Sequence, residues 1–122
     1  MMWSDRYYYL NIYKDESLGS YCDTKILREF LNSIPELQQK SKHEFDNVKP
    51  FPFTQLLLLN ANSIDNWSGS DTNAKRTNLI TIVCGKNEHV NFKELKRVFE
   101  QISSFIDWSL KTDDNEEFTE YD

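Results

Sequence analysis

The side chains here best suited to nucleophilic or metal chemistry are two histidines and two cysteines, and none has the neighbours such chemistry needs. A nucleophile requires a base within hydrogen-bond reach and a third group to orient that base. His43 lies in Lys42-His43-Glu44 and His89 in Glu88-His89-Val90, polar settings that read as solvated surface. Cys22 and Cys84 form no CxxC pair and belong to no zinc-spaced cluster, so each reads as a small buried hydrophobe. Gly19, Gly69 and Gly85 are isolated, which leaves no loop to cradle a phosphate. A calcium loop counted from Asp65 would put Trp67 and Gly69 at ligand positions 3 and 5, and Arg76 at the closing position 12. No pair of carboxylates is nominated for glycoside hydrolysis. The sequence therefore predicts no catalytic residue, no cofactor and no metal, and points to binding.

Two segments carry that expectation. Residues 62–77 are sixteen polar, aperiodic positions with one large residue, Trp67, among Asp65, Asn66 and Asp71. Loops beyond about 12–15 residues are uncommon in compact domains and are usually functional or disordered. Trp67 is either an anchor for a partner, with Asp65 and Asp71 as steering charges, or a lid folded back onto the core. The second segment is the end of the chain. Residues 113–122 hold six acids, including Asp113 and Asp114, and no base, whereas residues 1–112 balance fourteen acids against fourteen bases. The net charge of −6 is thus a tail, and its composition predicts disorder. A neutral body has no cationic surplus with which to release counterions, so direct nucleic-acid binding is not expected.

The elements that must position these residues follow from periodicity. Tyr7-Tyr8-Tyr9-Leu10-Asn11-Ile12-Tyr13 reads as a strand, with Tyr8, Leu10 and Ile12 on one face and Tyr7, Tyr9, Asn11 and Tyr13 on the other. The tyrosine face could stack bases, but the chain lacks the glycine-aromatic motif and basic surroundings of an RNA-binding sheet. Asp23 or Thr24 caps a helix whose stripe is Ile26, Leu27, Phe30, Leu31 and Ile34, ending before Pro35. Residues 36–47 are polar, with room for a short edge strand ending near Phe45. Phe53 to Ala61 is apolar on both alternating faces and reads as an interior strand covered on both sides. Asn78 to Cys84 places Ile80, Ile82 and Cys84 on one face, and Gly85-Lys86-Asn87 turns the chain. In the last helix Asn91 and Glu94 have capping-box spacing and Val90 can staple onto Leu95. Phe92, Leu95, Val98, Phe99, Ile102, Phe105 and Ile106 form its stripe, and a short strand can begin near Trp108 and Leu110.

The expected architecture is one α+β domain over residues 1–112, order β-α-(β)-β-β-α, with an antiparallel sheet and two helices on one face. At 122 residues the chain buries roughly two-thirds of its unfolded surface without a disulfide or metal. Its longest apolar run, Leu56-Leu57-Leu58-Leu59, is far short of the about 20 residues of a spanning helix. No basic start with an apolar run follows Met1, so the expectation is a cytoplasmic protein with no membrane partner.

A short acidic chain of this element order, with a long polar loop and a capped final helix running into Trp108-Ser109-Leu110, resembles bacterial immunity proteins over residues 6–112. These are antidotes to contact-dependent and polymorphic toxins. The resemblance implies a non-catalytic inhibitor whose partner is a cognate toxin domain, often a basic nuclease. Acids in the loop and tail suit such a partner, since opposite potentials raise association rates. The alternative is a nucleic-acid mimic that inhibits a DNA-binding or restriction-type protein, and the third is a small enzyme.

Overall fold

In the computed structural model, which describes residues 7–49, 51–61, 75–85 and 92–112, alternation along the strands sorts the side chains into two layers. The elements are β1 (Tyr7–Tyr13), β2 (Cys22–Asp23), α1 (Thr24–Asn32), β3 (Leu37–Gln39), β4 (Glu44–Asn47) and β5 (Thr54–Leu59). They continue as β6 (Arg76–Thr77), β7 (Leu79–Gly85), α2 (Phe92–Ile106) and β8 (Ser109–Thr112). Six strands form one sheet in the order β3-β4-β5-β7-β1-β8, every neighbouring pair antiparallel. The expected α+β class, antiparallel sheet and two helices are observed.

Registers fix what each face carries. Leu10 lies opposite Ile82, which lies opposite Leu56, which lies opposite Phe45. Ile12, Ile80 and Leu58 form the next row. These side chains are buried in one cluster with Leu27 and Leu31 of α1 and Leu95, Val98, Phe99 and Ile102 of α2. Both helices therefore cover one face, and Phe51 closes the layer edge-on against Phe99, ring centroids 6.3 Å apart.

Helix ends follow their sequence signals. The Asp23 carboxylate accepts from the backbone N–H groups of Lys25 at 2.8 Å and Ile26 at 3.4 Å, two donors the first turn leaves free. α1 stops at Asn32, earlier than the expected Ile34, although Ile34 still enters the core. α2 ends in a left-handed residue, Asp107 (φ 56°), with Trp108 N–H donating to Ser103 O at 2.9 Å and Asp107 N–H to Ser104 O at 3.3 Å. That is the paired i→i−5 and i→i−3 closure that turns a chain out of a helix. The capping box at Asn91 and the staple at Val90 lie outside the described residues.

Several expectations are corrected. Residues 36–47 hold two strands, not one: β3 and β4 form a hairpin closed by Lys40 N–H donating to Glu44 O at 2.9 Å. Ile26 is 51 % exposed and Phe105 45 % exposed, because each helix touches the sheet along a stripe narrower than its apolar sequence. Their flank instead joins helix to helix, where Phe30 and Phe105 stack at 4.0 Å. β5 is interior but not sealed on both sides, since Leu57 is only half-buried. His43 is half-buried in place of fully solvated, and Cys22 is half-buried.

Among the described residues, the sheet's second face is closed at one end only. Tyr13, Leu18, Leu59, Ala61 and Leu79 form a separate buried cluster there. Leu18, at a positive φ of 54°, plugs it from the loop after β1. Buried Asn78 holds the plug: its amide donates to Leu18 O at 3.1 Å and Ala61 O at 2.9 Å, and its carbonyl accepts from Ala61 N–H at 2.8 Å. A two-stranded ribbon, β2 with β6, ties the start of α1 to the same region.

Candidate functional site: the open face of the sheet

Away from the Leu18 plug, no described helix covers the second face, and its other end is aromatic. The register places Tyr7 opposite Gly85, whose N–H donates to Phe53 O at 2.7 Å. Gly85 has no side chain, so the rings on either side of it meet across the gap. Tyr7 and Phe53 pack edge to face with centroids 5.9 Å apart, and Tyr9 lies tilted against Tyr7 at 6.5 Å. Phe53 is 53 % exposed, the largest exposure among the exposed large hydrophobics of the described chain.

The next row runs Gln38, Asp46, Gln55, Val83 and Tyr9, and the one beyond it Glu44, Leu57, Thr81, Asn11 and Lys111. Adjacent strands lie about 4.8 Å apart. These rows therefore form a mixed face running from β3 to β8, interrupted where Asn11 is buried, with an aromatic border. Its charges are uneven. Glu44 pairs with Lys40 at 3.3 Å, whereas one carboxylate oxygen of Asp46 is buried without a hydrogen-bond donor. Leaving a buried acceptor unmatched costs about 1–3 kcal/mol.

The groups singled out for chemistry fall elsewhere. Cys84 is on the helix-covered face, fully buried, its thiol pushed up to about 12 by burial against a smaller opposing effect of the Thr54 hydroxyl bond. It is a neutral thiol at physiological pH. The Cys22 thiol is also raised, first by burial and then by Asp23. Arg97 holds the Glu94 carboxyl below its usual range by a direct hydrogen bond and also reaches Glu36 at 2.9 Å, a surface link from α2 to the chain before β3. Among the described residues no three His, Cys, Asp or Glu side chains come together as a metal site. Among the described residues no helix is long and apolar enough to cross a membrane.

The predicted binding residues Asp65, Asn66, Trp67, Asp71, Asp113 and Asp114 all lie outside the described residues. Both stems of the segment that holds the first four are described. Ala61 is clamped by Asn78, and Lys75 O accepts from Thr24 N–H at 2.9 Å. That segment departs from the plugged end of the face, whereas Phe53 marks the open end, eight residues and so roughly 27 Å of strand away. Phe53 was not expected as a site residue, since it stands at the Pro-flanked entrance of a strand. Only the register with Gly85 brings it beside the tyrosines. No protein-family model, curated protein or solved structure matches this chain.

Proposed function

We propose that this chain is a non-catalytic protein-binding inhibitor, in the manner of an immunity protein that neutralises a cognate bacterial toxin. We further propose that the open face of its sheet contacts the partner. The observation that carries this reading is the half-exposed Phe53, packed on Tyr7, which in turn lies against Tyr9, at the border of a mixed sheet surface. Interfaces concentrate their energy in aromatic anchors within a polar rim, and tyrosine serves well because it is amphipathic and loses little entropy. Asp65, Asp71, Asp113 and Asp114 would steer the same partner, with Trp67 as a second anchor.

The test begins with affinity capture from the native cell and continues with purified components. Phe53→Ala is expected to weaken binding of the captured protein by about 2 kcal/mol, near thirtyfold in Kd, mainly through faster dissociation. Replacing both Asp65 and Asp71 by Asn is expected to slow association and flatten its salt dependence. Unchanged affinity in Phe53→Ala removes the open face from the interface. The inhibitor role stands if expressing the captured protein arrests growth only in cells that lack this chain. It fails if that protein is harmless, or if its activity persists in the complex.

A further inference from the structure

A cationic surface lies along the outer side of α2 and the edge strand β8. Lys93, Lys96 and Arg97 fall in the first two turns of α2, and Lys96 shares a groove of about 310 Å³ with Glu100, Trp108, Leu110 and Lys111, two bases against one acid. Arg97 is engaged by Glu36 and Glu94. Among the described residues, Lys93, Lys96 and Lys111 have no ion-pair partner. Their position also runs against the helix dipole, whose N-terminal end favours anions. α2 has one acid in its first turn, Glu94, and no base in its last.

β8 is where the described chain ends, at Thr112, one residue beyond Lys111. Because Lys96 and Lys111 line one groove, β8 returns toward the N-terminal half of α2, and the described chain ends beside these two lysines. The residues that follow read Asp-Asp-Asn-Glu-Glu-Phe-Thr-Glu-Tyr-Asp, six acids with no base. Ten extended residues reach up to about 33–36 Å. A fifteen-residue helix is about 22 Å long, so the segment can run the length of α2.

We propose that residues 113–122 dock back onto this surface in the free protein, their carboxylates on Lys93, Lys96 and Lys111. Individual surface pairs are weak. Tethering at Thr112 makes the encounter intramolecular, at an effective concentration on the order of millimolar, so weak pairs suffice. The docked segment also places negative charge at the N-terminal end of α2, where the dipole favours it. A cationic partner would draw the same carboxylates away, although docking in the free protein does not depend on that reading.

The full chain is treated with a water-soluble carbodiimide, which activates a carboxylate for attack by a touching lysine Nζ. An amide forms, the activating group leaves as a urea, and the joined peptides are mapped by mass. Links from Lys93 and Lys96 to Glu116, Glu117 or Glu120 are expected. They should be lost at about 1 M salt, where the screening length falls to about 3 Å. Lys93→Glu alone should also weaken the links formed by Lys96, and Lys96→Glu those formed by Lys93. Tail links spread evenly over Lys25 and Lys49, or no tail links, would overturn the proposal. An equal mixture of ¹⁵N-labelled and unlabelled chains distinguishes the occupant. Amides joining the two isotopes would assign the groove to a second copy's tail and overturn docking within one chain.

Discussion

The two faces of this sheet are made from the same strands, and their residues differ in kind as much as in cover. On the helix side β1 contributes Leu10 and Ile12, both buried among aliphatic neighbours. On the other side the same strand contributes Tyr7 and Tyr9, half-buried and in contact with each other, with Tyr7 also against Phe53. Aliphatic side chains gain only from leaving water, at about 25 cal/mol per Å². Tyrosine tolerates both environments, because its ring packs while its hydroxyl stays hydrated. One face is thus spent on stability and the other keeps aromatic area available, and a substitution should affect folding or binding according to which face it lies on.

The sharpest way to break that contrast is Phe99→Ala. Phe99 is fully buried against Phe51, and such truncations cost about 3–5 kcal/mol, so the denaturation midpoint should fall steeply. Wild-type stability in that variant would mean the helix-covered face is not the core.

Asn78→Ala should come next, at about 2–4 kcal/mol, since it strands the Leu18 and Ala61 carbonyls and the Ala61 N–H in a buried setting. Chemical denaturation reads the loss. A change under about 0.5 kcal/mol would show that the plugged end is as dispensable as ordinary surface.

Cys84 sharpens the comparison through pH. Its folded-state value, about 12, lies above its ordinary 9.0, so the folded protein keeps the neutral thiol. The associated stability is fully present below pH 9.0 and is lost as pH climbs toward 12, because only the unfolded chain gains by ionising. Near pH 11 the wild type should have lost on the order of 2 kcal/mol more than Cys84→Ala, each measured against its own neutral-pH stability. Parallel pH profiles would show that solvent reaches the thiol.

The smallest expected effect on folding is on the open face. Phe53→Ala should cost less than about 1 kcal/mol, the worth of one exposed aromatic pair, in a thermal melt. A loss comparable to that of Phe99→Ala would make the aromatic border a second core and remove the contrast.

Much of this arrangement was legible in the chain itself. Period-two alternation over Tyr7–Tyr13 separates the two faces before any partner strand is known, and the apolar stripe of α2 together with Pro35 after α1 locates both helices. Alternation is a property of one strand's own geometry, so one strand's residues suffice to reveal it. Which strands lie side by side is not such a property. That β1 sits between β7 and β8 depends on pairings across long stretches of chain, and that the local β3–β4 hairpin extends the far edge depends on its pairing with β5. The exposure of Ile26 and Phe105 likewise depends on where the second helix lies, which helical periodicity cannot specify. The aromatic border shows the division most plainly. Tyr7 and Tyr9 could be assigned to the second face from sequence, but Phe53 and Gly85 are thirty-two positions apart, and one looked like a strand entrance and the other a turn. Only the antiparallel register joins them, because a ring contact across a missing side chain requires three strands to be brought side by side.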